Sequence, residues 1–282
     1  MGQFLNKAAS PAVLNHSWNY LRNDRGQWRR GLSIGDMQKN LIRHVGDVSS
    51  LLLSGKYRSD SMRCYEVEKG DGSQRLICAS AVRDKLVQRA ILTVIEPLGE
   101  AIFHECSFGF RYHYNVDMAV AKVREFVRQG FVWLGDADIK SCFDNIPYED
   151  VLKKLYKLCG DKELVAVVRT CIRSQPGRFR TAGGERGLPQ GMVLSPFLCN
   201  LYLHDLDMFF VGKKIPFVRF ADDFILFAGD EAGANEALLL AGKQLNKLGL
   251  ELHPDKTRVI RSASRYRFLG KRLPDFKPRF KL

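Results

Sequence analysis

The sequence has no long apolar run, no apolar leader and no paired cysteine motif. A membrane-spanning helix needs about 18 consecutive apolar residues, and no stretch of the 282 residues approaches that length. The first ten residues, MGQFLNKAAS, lack the apolar core of a signal peptide. Seven cysteines are scattered without a CxxC spacing, which favours reduced thiols. These absences predict a cytoplasmic protein that does not enter a membrane.

Acidic residues are scarce relative to basic ones. The chain has 44 Lys and Arg against 31 Asp and Glu, a formal net charge of +13. Such an excess repels itself in the folded state and usually indicates a polyanionic partner. A nucleic acid fits this charge, and an anionic membrane surface is the alternative. The hydrophobic content of 45% is that of a globular protein.

The first half of the chain mixes helical and hairpin patterns. Residues 64–78 predict a hairpin, because strand-like segments flank the turn sequence KGDGS. Residues 84–95 predict a helix that Pro97 stops. Apolar residues at helical spacing over 116–127 predict another helix, ended by Gly130.

The second half alternates strands and helices. A buried strand at 131–137 is followed by amphipathic helices, and a further helix begins near Ser195. Two apolar strands, 216–220 and 224–227, then flank an Ala-Asp-Asp turn, with a helix and a hairpin over 259–273 after them. Strand, helix, hairpin, helix and strand in this order predict an α+β fold with a split βαβ sheet.

Three acids stand at strand ends that one sheet would bring together. Asp222 and Asp223 occupy the turn, and Asp138 follows the buried strand before them. An Asp pair in a turn is ordinary by itself. In one sheet, however, carboxylates about 4 Å apart repel by about 4 kcal/mol at an effective dielectric of 20. Such a cluster requires cations, and two Mg²⁺ ions, with Mn²⁺ as a substitute, suit carboxylate oxygens and phosphoryl transfer. Asp136 and Asp144 are interpreted as structural.

Seven short motifs occur in order along the chain. They are KGDGSQR at 69–75, SFGFR at 107–111, DIKSCF at 138–143, GLPQGMVLSP at 187–196, FADD at 220–223, GLELHPDK at 249–256 and FLG at 268–270. Their order and spacing resemble those of reverse transcriptases, most closely the bacterial branch near group II intron enzymes. The resemblance implies a polymerase right-hand fold with fingers over 1–105, a palm over 106–273 and a basic tail over 274–282. About twelve residues follow the FLG motif, so no C-terminal thumb domain is expected.

The resemblance also implies roles for particular residues. Asp138, Asp222 and Asp223 would hold two metal ions, and Lys256 would protonate the leaving pyrophosphate. The candidate nucleotide contacts are Lys69, Arg75, Phe143 and Gln190. The two cations would grip the triphosphate, and the phenylalanine would exclude a 2′-hydroxyl and so favour deoxynucleotides. A solvated hairpin tip, core packing and loop capping are the respective alternatives.

Both ends of the chain combine cations with aromatic rings. Residues 258–282 carry nine Lys or Arg against one acid, and residues 18–30 are similar in kind. This composition suits RNA, since cations neutralise phosphates and rings stack on bases; solvated charged faces are the alternative. The candidate nucleic-acid contacts are Arg29, Arg30, Arg265, Arg267, Lys271 and Arg272. We expect a structured non-coding RNA that serves as template and substitutes for the thumb.

The resulting hypothesis is a stand-alone RNA-directed DNA polymerase that consumes dNTPs and produces DNA. Its expected setting is bacterial antiphage defence, where it would copy a cognate non-coding RNA. A CRISPR-associated reverse transcriptase is one alternative, and a non-catalytic RNA-binding or splicing-assistance protein is another. An RNA polymerase is disfavoured by Phe143. The sequence does not indicate an oligomeric state.

Overall fold

The computed structural model describes residues 2–68, 72, 74–176, 186–262 and 266–273. The chain divides into two units. The first unit comprises Met1–Ile102 and Phe143–Tyr202, and the second comprises Phe103–Cys142 and Leu203–Leu282. Among the helices of the described ranges, none has the length and apolar character needed to cross a bilayer.

The first unit is mainly helical. Its helices are α1 (Gln3–Ala8), α2 (Pro11–Asn19), α3 (Ile34–Gln38), α4 (Leu41–Leu53), α5 (Val82–Glu100), α8 (Tyr148–Cys159) and α9 (Lys162–Ile172), with the short α7 (Cys142–Asn145) at its boundary. Helix α5 is central, because α1, α2, α8 and α9 all pack against it. Its residues Val87, Ile91 and Ile95, four apart and therefore on one face, are fully buried.

Helix α5 runs past the proline that was predicted to stop it. Pro97 lies inside the helix, which ends at Glu100. A proline removes its own backbone donor and crowds the carbonyl four residues before it, but the Pro97 carbonyl still accepts from the Ala101 amide at 3.2 Å. Because the buried face continues to Gly99, packing outweighs the one lost hydrogen bond.

The predicted hairpin at 64–78 is present. The first unit contains strands β1 (Gln27–Arg29), β2 (Leu32–Ser33), β3 (Arg63–Glu68) and β4 (Gln74–Ala79), paired as β1–β2 and β3–β4. Cys64 lies opposite Cys78 with a Cα–Cα distance of 4.1 Å, and the two form a disulfide. The expectation of reduced thiols is wrong for this pair, because strand register, which the cysteine spacing did not reveal, places them together. The other five cysteines are buried.

The second unit is built on a four-stranded antiparallel sheet. Its strands are β5 (Trp133–Asp138), β6 (Phe217–Phe220), β7 (Asp223–Ala228) and β8 (Arg258–Arg261), in the order β6-β7-β5-β8. Strand β7 separates β5 from β6, and β5 separates β7 from β8, so the predicted split βαβ arrangement is confirmed. Helix α11 (Glu231–Lys247) packs on β5, β7 and β8, and α6 (Val116–Arg128) packs on β6.

The hairpin predicted over 259–273 is wrong in its extent. Strand β8 joins the main sheet beside β5, and only β9 (Arg267–Phe268) and β10 (Lys271–Arg272) form a hairpin. Val259 and Ile260 lie opposite Gly135 and Leu134 of β5. Extending the sheet shields these apolar residues better than a local hairpin would.

The two units do not follow the predicted boundary between residues 105 and 106. Residues 143–202 belong to the first unit, because α8 and α9 pack against α5. Fingers, palm and tail are functional divisions, and they stay a prediction. Helix α10 (Ser195–Gly212) begins in the first unit, and residues 274–282 lie outside the described residues.

Candidate active site

The hairpin that carries Asp222 and Asp223 turns very tightly. Phe220 of β6 pairs with Asp223 of β7, which leaves only Ala221 and Asp222 as the loop. Ala221 has φ of +60°, a value that tight hairpin turns need but that residues other than glycine rarely adopt. This left-handed conformation costs alanine about 1–2 kcal/mol. The surroundings of the turn must therefore hold it in place.

Asp138 lies directly across the sheet from Asp223. The two residues are register partners of the antiparallel strands β5 and β7. The Ile139 amide donates to the Asp222 carbonyl at 3.3 Å, so the neighbouring pair, Asp138 and Asp223, is of the non-hydrogen-bonded kind. Side chains of such pairs approach most closely. The sheet thus brings two of the three predicted metal ligands together, with the third adjacent in the turn.

The carboxyl group of Asp223 is in a setting that opposes its ionisation. Burial, followed by the negative charges of Asp222 and Asp138, raises its pKa from the ordinary 3.8 to about 7. Near neutral pH the group is therefore divided between protonated and ionised forms.

Lys256 supplies a positive charge beside these acids. Its Nζ donates to Asp138 Oδ2 at 3.1 Å, and this hydrogen bond raises the pKa of the lysine. The segment that carries it is fastened to the end of β5. There the His253 amide donates to the Asp138 carbonyl at 2.8 Å, and the Lys140 amide donates to the Glu251 carbonyl at 2.9 Å. The predicted catalytic lysine therefore lies at the predicted carboxylates.

The donors at this cluster suit a hard divalent cation. Asp138, Asp222 and Asp223 offer carboxylate oxygens, the ligands that Mg²⁺ and Mn²⁺ prefer. Within the described ranges, no group of three or more His, Cys, Asp or Glu residues is already arranged to hold a metal ion. Instead, Lys256 bonds Asp138 and the pKa of Asp223 is raised. Both features are what excess negative charge produces. The carboxylate donors are of the kind that a divalent cation prefers, and the metal site itself stays a prediction.

Asp136 shares a face of β5 with Asp138 but has other partners. Arg258 Nε lies 3.3 Å from its Oδ2. Burial raises the pKa of Asp136, while Tyr266 and Arg258 act in the opposite direction. These contacts agree with its interpretation as a structural acid.

The loop with Gln190 is secured within the first unit. The Gln190 carbonyl accepts from the Cys78 amide at 2.7 Å, and its side-chain Nε2 donates to Asp144 Oδ1 at 3.2 Å. The Phe143 carbonyl accepts from the Leu188 amide at 2.7 Å. The structure therefore places Phe143 and Gln190, both predicted nucleotide contacts, on segments that are bonded to each other.

The predicted triphosphate contacts are less well placed. Arg75 is exposed on β4. Its strand neighbours Gln74 and Leu76 line a cavity beside Gln190, and alternation along a strand directs Arg75 to the opposite face. Lys69 lies outside the described residues. The roles of both cations stay predictions.

The predicted nucleic-acid contacts fall in both units. Arg29 and Arg30 line a groove of the first unit. Arg267, Lys271 and Arg272 are exposed on the β9–β10 hairpin of the second unit. There Lys271 Nζ lies 3.2 Å from an Asp117 carboxylate oxygen, and Arg124 Nη2 donates to the Arg272 carbonyl at 3.2 Å. Arg265 lies outside the described residues.

Two buried polar residues that hold these loops were missed in the sequence. Gln88 of α5 accepts from the Val193 amide at 2.9 Å and donates to Ser80 Oγ at 3.1 Å. Arg219 of β6 is paired with Asp207 inside the second unit. For Arg219 the available signal was a charged residue within an otherwise apolar strand, whereas Gln88, next to Arg89, gave no such signal.

The split βαβ sheet with acids on its two central strands agrees with the polymerase fold that the sequence motifs predict. The family model described as reverse transcriptase (RNA-dependent DNA polymerase) matches residues 67–273, and the chain belongs to that family. This match confirms the predicted enzyme class, an RNA-directed DNA polymerase, and the predicted fold.

Known proteins resemble the chain to different extents. YkfC of Escherichia coli strain K12 is 28% identical over 264 residues, which cover 79% of this chain and 69% of YkfC. The group II intron-encoded protein LtrA of Lactococcus lactis subsp. cremoris is 30% identical over 174 residues, covering 61% of this chain and 29% of LtrA. The predicted relation to group II intron enzymes is confirmed, although the match spans less than a third of that relative.

Solved structures support the same fold. A partial Cas6-RT-Cas1–Cas2 complex superposes with a TM-score of 0.51 at 22% identity, covering 86% of this chain and 42% of that chain. At this identity the likeness shows the fold alone.

We expect the metal-free protein to lose stability as pH rises from about 4 to about 7. In that range the folded Asp223 carboxyl, with its raised pKa, binds a proton that the unfolded chain, with the ordinary pKa of 3.8, has released. Because the folded state binds more protons, rising pH disfavours it. Thermal melting in a chelator across this range measures the loss, which Asp223→Asn should largely remove.

The matched control is Asp150→Asn, which changes an exposed acid on α8 and should keep the stability loss between about pH 4 and about pH 7. Parallel melting curves for wild type and Asp223→Asn would show that the pKa of Asp223 is not raised.

Proposed function

We propose that the protein extends a primer on an RNA template with deoxynucleotides, using two divalent metal ions held by Asp138, Asp222 and Asp223. The observation that carries this proposal is the cross-strand pairing of Asp138 with Asp223 beside the tight Asp-Asp turn. Two bound Mg²⁺ ions would supply activation of the primer 3′-hydroxyl and neutralisation of the leaving pyrophosphate.

Lys256 is suited to act as the proton donor. Its raised pKa keeps the ammonium protonated at neutral pH, and the group is about half exposed, so it can exchange partners. Neutralisation of the Asp138 charge by a bound divalent cation would release the Lys256 ammonium from its 3.1 Å hydrogen bond. It can then donate a proton to the pyrophosphate oxygen that leaves.

Phe143 and Gln190 are suited to select the nucleotide. Their backbones are secured through the 2.7 Å bonds from Leu188 and Cys78, so both side chains stand on fixed segments. A half-buried ring at 143 would overlap a 2′-hydroxyl sterically, which discriminates more strongly than apolar contact alone. The Gln190 amide, oriented by Asp144, would hydrogen-bond the sugar or base.

A groove in the first unit is suited to bind single-stranded RNA. It has a volume of about 580 Å³, and the residues on which this proposal rests are Arg29, Arg30, Arg63 and Tyr65. Lys85 also lines the groove, but its ammonium is paired with Asp24 at 2.6 Å. The guanidinium groups can neutralise phosphates, and the tyrosine ring, 54% exposed, is available to stack on a base. These features support an RNA partner with a single-stranded segment.

For the biological setting we propose bacterial antiphage defence in the cytoplasm, with a cognate non-coding RNA as template and DNA as product. A CRISPR-associated role is the second setting. Sequencing of the RNA that copurifies with the protein separates them: one recurrent structured RNA supports the defence proposal, whereas a mixture of unrelated transcripts contradicts it.

Removing two carboxylates should abolish synthesis. We expect Asp222→Ala with Asp223→Ala to lower primer extension with dNTPs on an RNA template by at least about 1000-fold, because the metal ions lose most of their ligands. RNA binding should stay near the wild-type level. Extension assays with dNTPs and NTPs on RNA and DNA templates measure the loss and also separate an RNA polymerase from a DNA polymerase.

The control is Asp150→Ala, which removes an exposed acid of α8 and should leave extension unchanged. Wild-type protein that binds RNA but extends no primer would favour the non-catalytic alternative.

A smaller side chain at 143 should relax sugar selection. We expect Phe143→Val to raise the use of NTPs relative to dNTPs by about 10- to 100-fold, because the steric overlap with the 2′-hydroxyl is removed. Single-nucleotide incorporation kinetics give the ratio of kcat/KM for the two substrates. Phe126→Val, which truncates a half-buried ring of α6 that packs on Phe227, is the matched control. An unchanged ratio would assign Phe143 to core packing.

Loss of cations from the groove should weaken RNA binding in a salt-dependent way. We expect the combined change Arg29→Ala, Arg30→Ala and Arg63→Ala to reduce the slope of log affinity against log salt by about 2, since each phosphate contact contributes about 0.7 for a single strand. Filter binding at a series of salt concentrations measures the slope. The control variant, Lys243→Ala with Lys247→Ala at exposed positions of α11, should keep the wild-type slope. An equal reduction of the slope in both variants would contradict RNA binding in this groove.

A further inference from the structure

The segment that contains the SFGFR motif runs beside the strand that enters the Asp-Asp turn. The Arg219 amide donates to the Cys106 carbonyl at 2.9 Å, and the Phe108 amide donates to the Arg219 carbonyl at 2.8 Å. Ser107 and Arg219 thereby form a parallel bridge. Strand β6 is therefore hydrogen-bonded on both edges immediately before the turn, since β7 pairs with its other edge.

Gly109 brings this segment against the turn itself. A Cβ atom at Gly109 would lie 2.3 Å from the Ala221 amide nitrogen and 3.0 Å from the Ala221 Cα. No side chain fits at that distance, so the approach requires glycine. The backbone of the motif thus touches the one residue of the turn that has an unfavourable φ.

The Arg219 side chain holds the turn from inside the unit. It is fully buried, with Nε 2.7 Å and Nη2 2.6 Å from the two carboxylate oxygens of Asp207. Its remaining nitrogen, Nη1, donates to the Ala221 carbonyl at 3.0 Å. Only the planar fork of arginine can make a bidentate bond to one group and a further bond to another in this way.

The carbonyl that Arg219 binds belongs to the peptide linking Ala221 to Asp222. Fixing that carbonyl fixes the plane of the peptide. The peptide plane in turn sets the position of the Asp222 backbone, from which its side chain projects. Arg111, almost fully buried, secures the motif in turn, because its Nη1 donates to the carbonyls of Ser107 at 2.7 Å and His104 at 2.9 Å. These contacts connect the SFGFR segment, Arg219 and the turn that carries Asp222 and Asp223.

We propose that Gly109, Asp207 and Arg219 form a turn bracket that positions Asp222 and Asp223 for metal binding. The inference rests on the proposed function and adds positioning residues to it. Without the bracket, Ala221 can relax from its left-handed conformation, and the two carboxylates lose their alignment with Asp138. The bracket residues touch neither substrate nor ions; they act through the backbone of the turn.

The test uses Arg219→Lys, which keeps a positive charge beside Asp207 but cannot also bind the Ala221 carbonyl. We expect kcat for primer extension to fall by about 10- to 100-fold, as small misplacements of catalytic groups do. The KM for dNTPs should stay near the wild-type value, and half-saturating Mg²⁺ should rise severalfold. The affinity for Mn²⁺, measured by electron paramagnetic resonance, should fall by a similar factor. This measurement does not depend on turnover.

The matched control is Arg83→Lys, which alters another arginine bonded to a buried acid, Asp84, at 3.0 Å in the first unit. It should lower thermal stability but leave kcat per folded molecule and Mn²⁺ affinity unchanged. Gly109→Ala tests the bracket through a different contact and should reproduce the pattern of Arg219→Lys. If Arg219→Lys does not fold, Gly109→Ala decides the question.

Folded Arg219→Lys and Gly109→Ala proteins with wild-type Mn²⁺ affinity and wild-type kcat would overturn the bracket while leaving the proposed function intact. If the wild type extends no primer, the proposed function fails, but the Mn²⁺ measurement still tests the turn bracket. Weaker Mn²⁺ binding in both variants than in the wild type supports the bracket, and equal binding refutes it.

Discussion

Repulsion among Asp138, Asp222 and Asp223 is the constraint to which the surrounding structure is adapted. Two carboxylates about 4 Å apart repel by about 4 kcal/mol at an effective dielectric of 20, more than the roughly 1–2 kcal/mol that the left-handed Ala221 costs. The raised pKa of Asp223 and the hydrogen bond from Lys256 both relieve this repulsion.

Sheet topology makes this crowding unavoidable. Because β7 lies between β5 and β6, the turn after β6 necessarily reaches the end of β5. Register then decides which side chains meet, since a slip by one residue would turn Asp138 to the other face. Buried residues on both faces of β7, such as Phe224 and Ile225, oppose any such slip. The apolar core of the second unit thus fixes the geometry of its charged cluster.

Local sequence patterns predicted much of this arrangement. They did not predict the contacts between residues that are distant in sequence. Strands β5, β6 and β7 and the acids beside them follow from apolar runs and turn residues. The pairing of β8 with β5 and the passage of α5 through Pro97 depend on contacts that neither spacing nor propensity encodes. In these two cases, burial against other segments outweighed the local signal. Cys64 and Cys78, by contrast, meet within the predicted hairpin, and the strand register that places them opposite each other was the part not predicted.

Arg219 illustrates why a buried polar residue can be informative about a site. Apolar residues of similar volume often stabilise a core as well as a buried ion pair does, so stability alone gives no reason for Arg219 and Asp207. An apolar pair, however, would deprive the buried Ala221 of the donor that its carbonyl has, and an unpaired buried carbonyl costs about 1–3 kcal/mol. Gln88 stands in the same relation to the Gln190 loop, where it accepts from the Val193 amide. Both residues are explained by the loops they hold, and both loops carry predicted site residues.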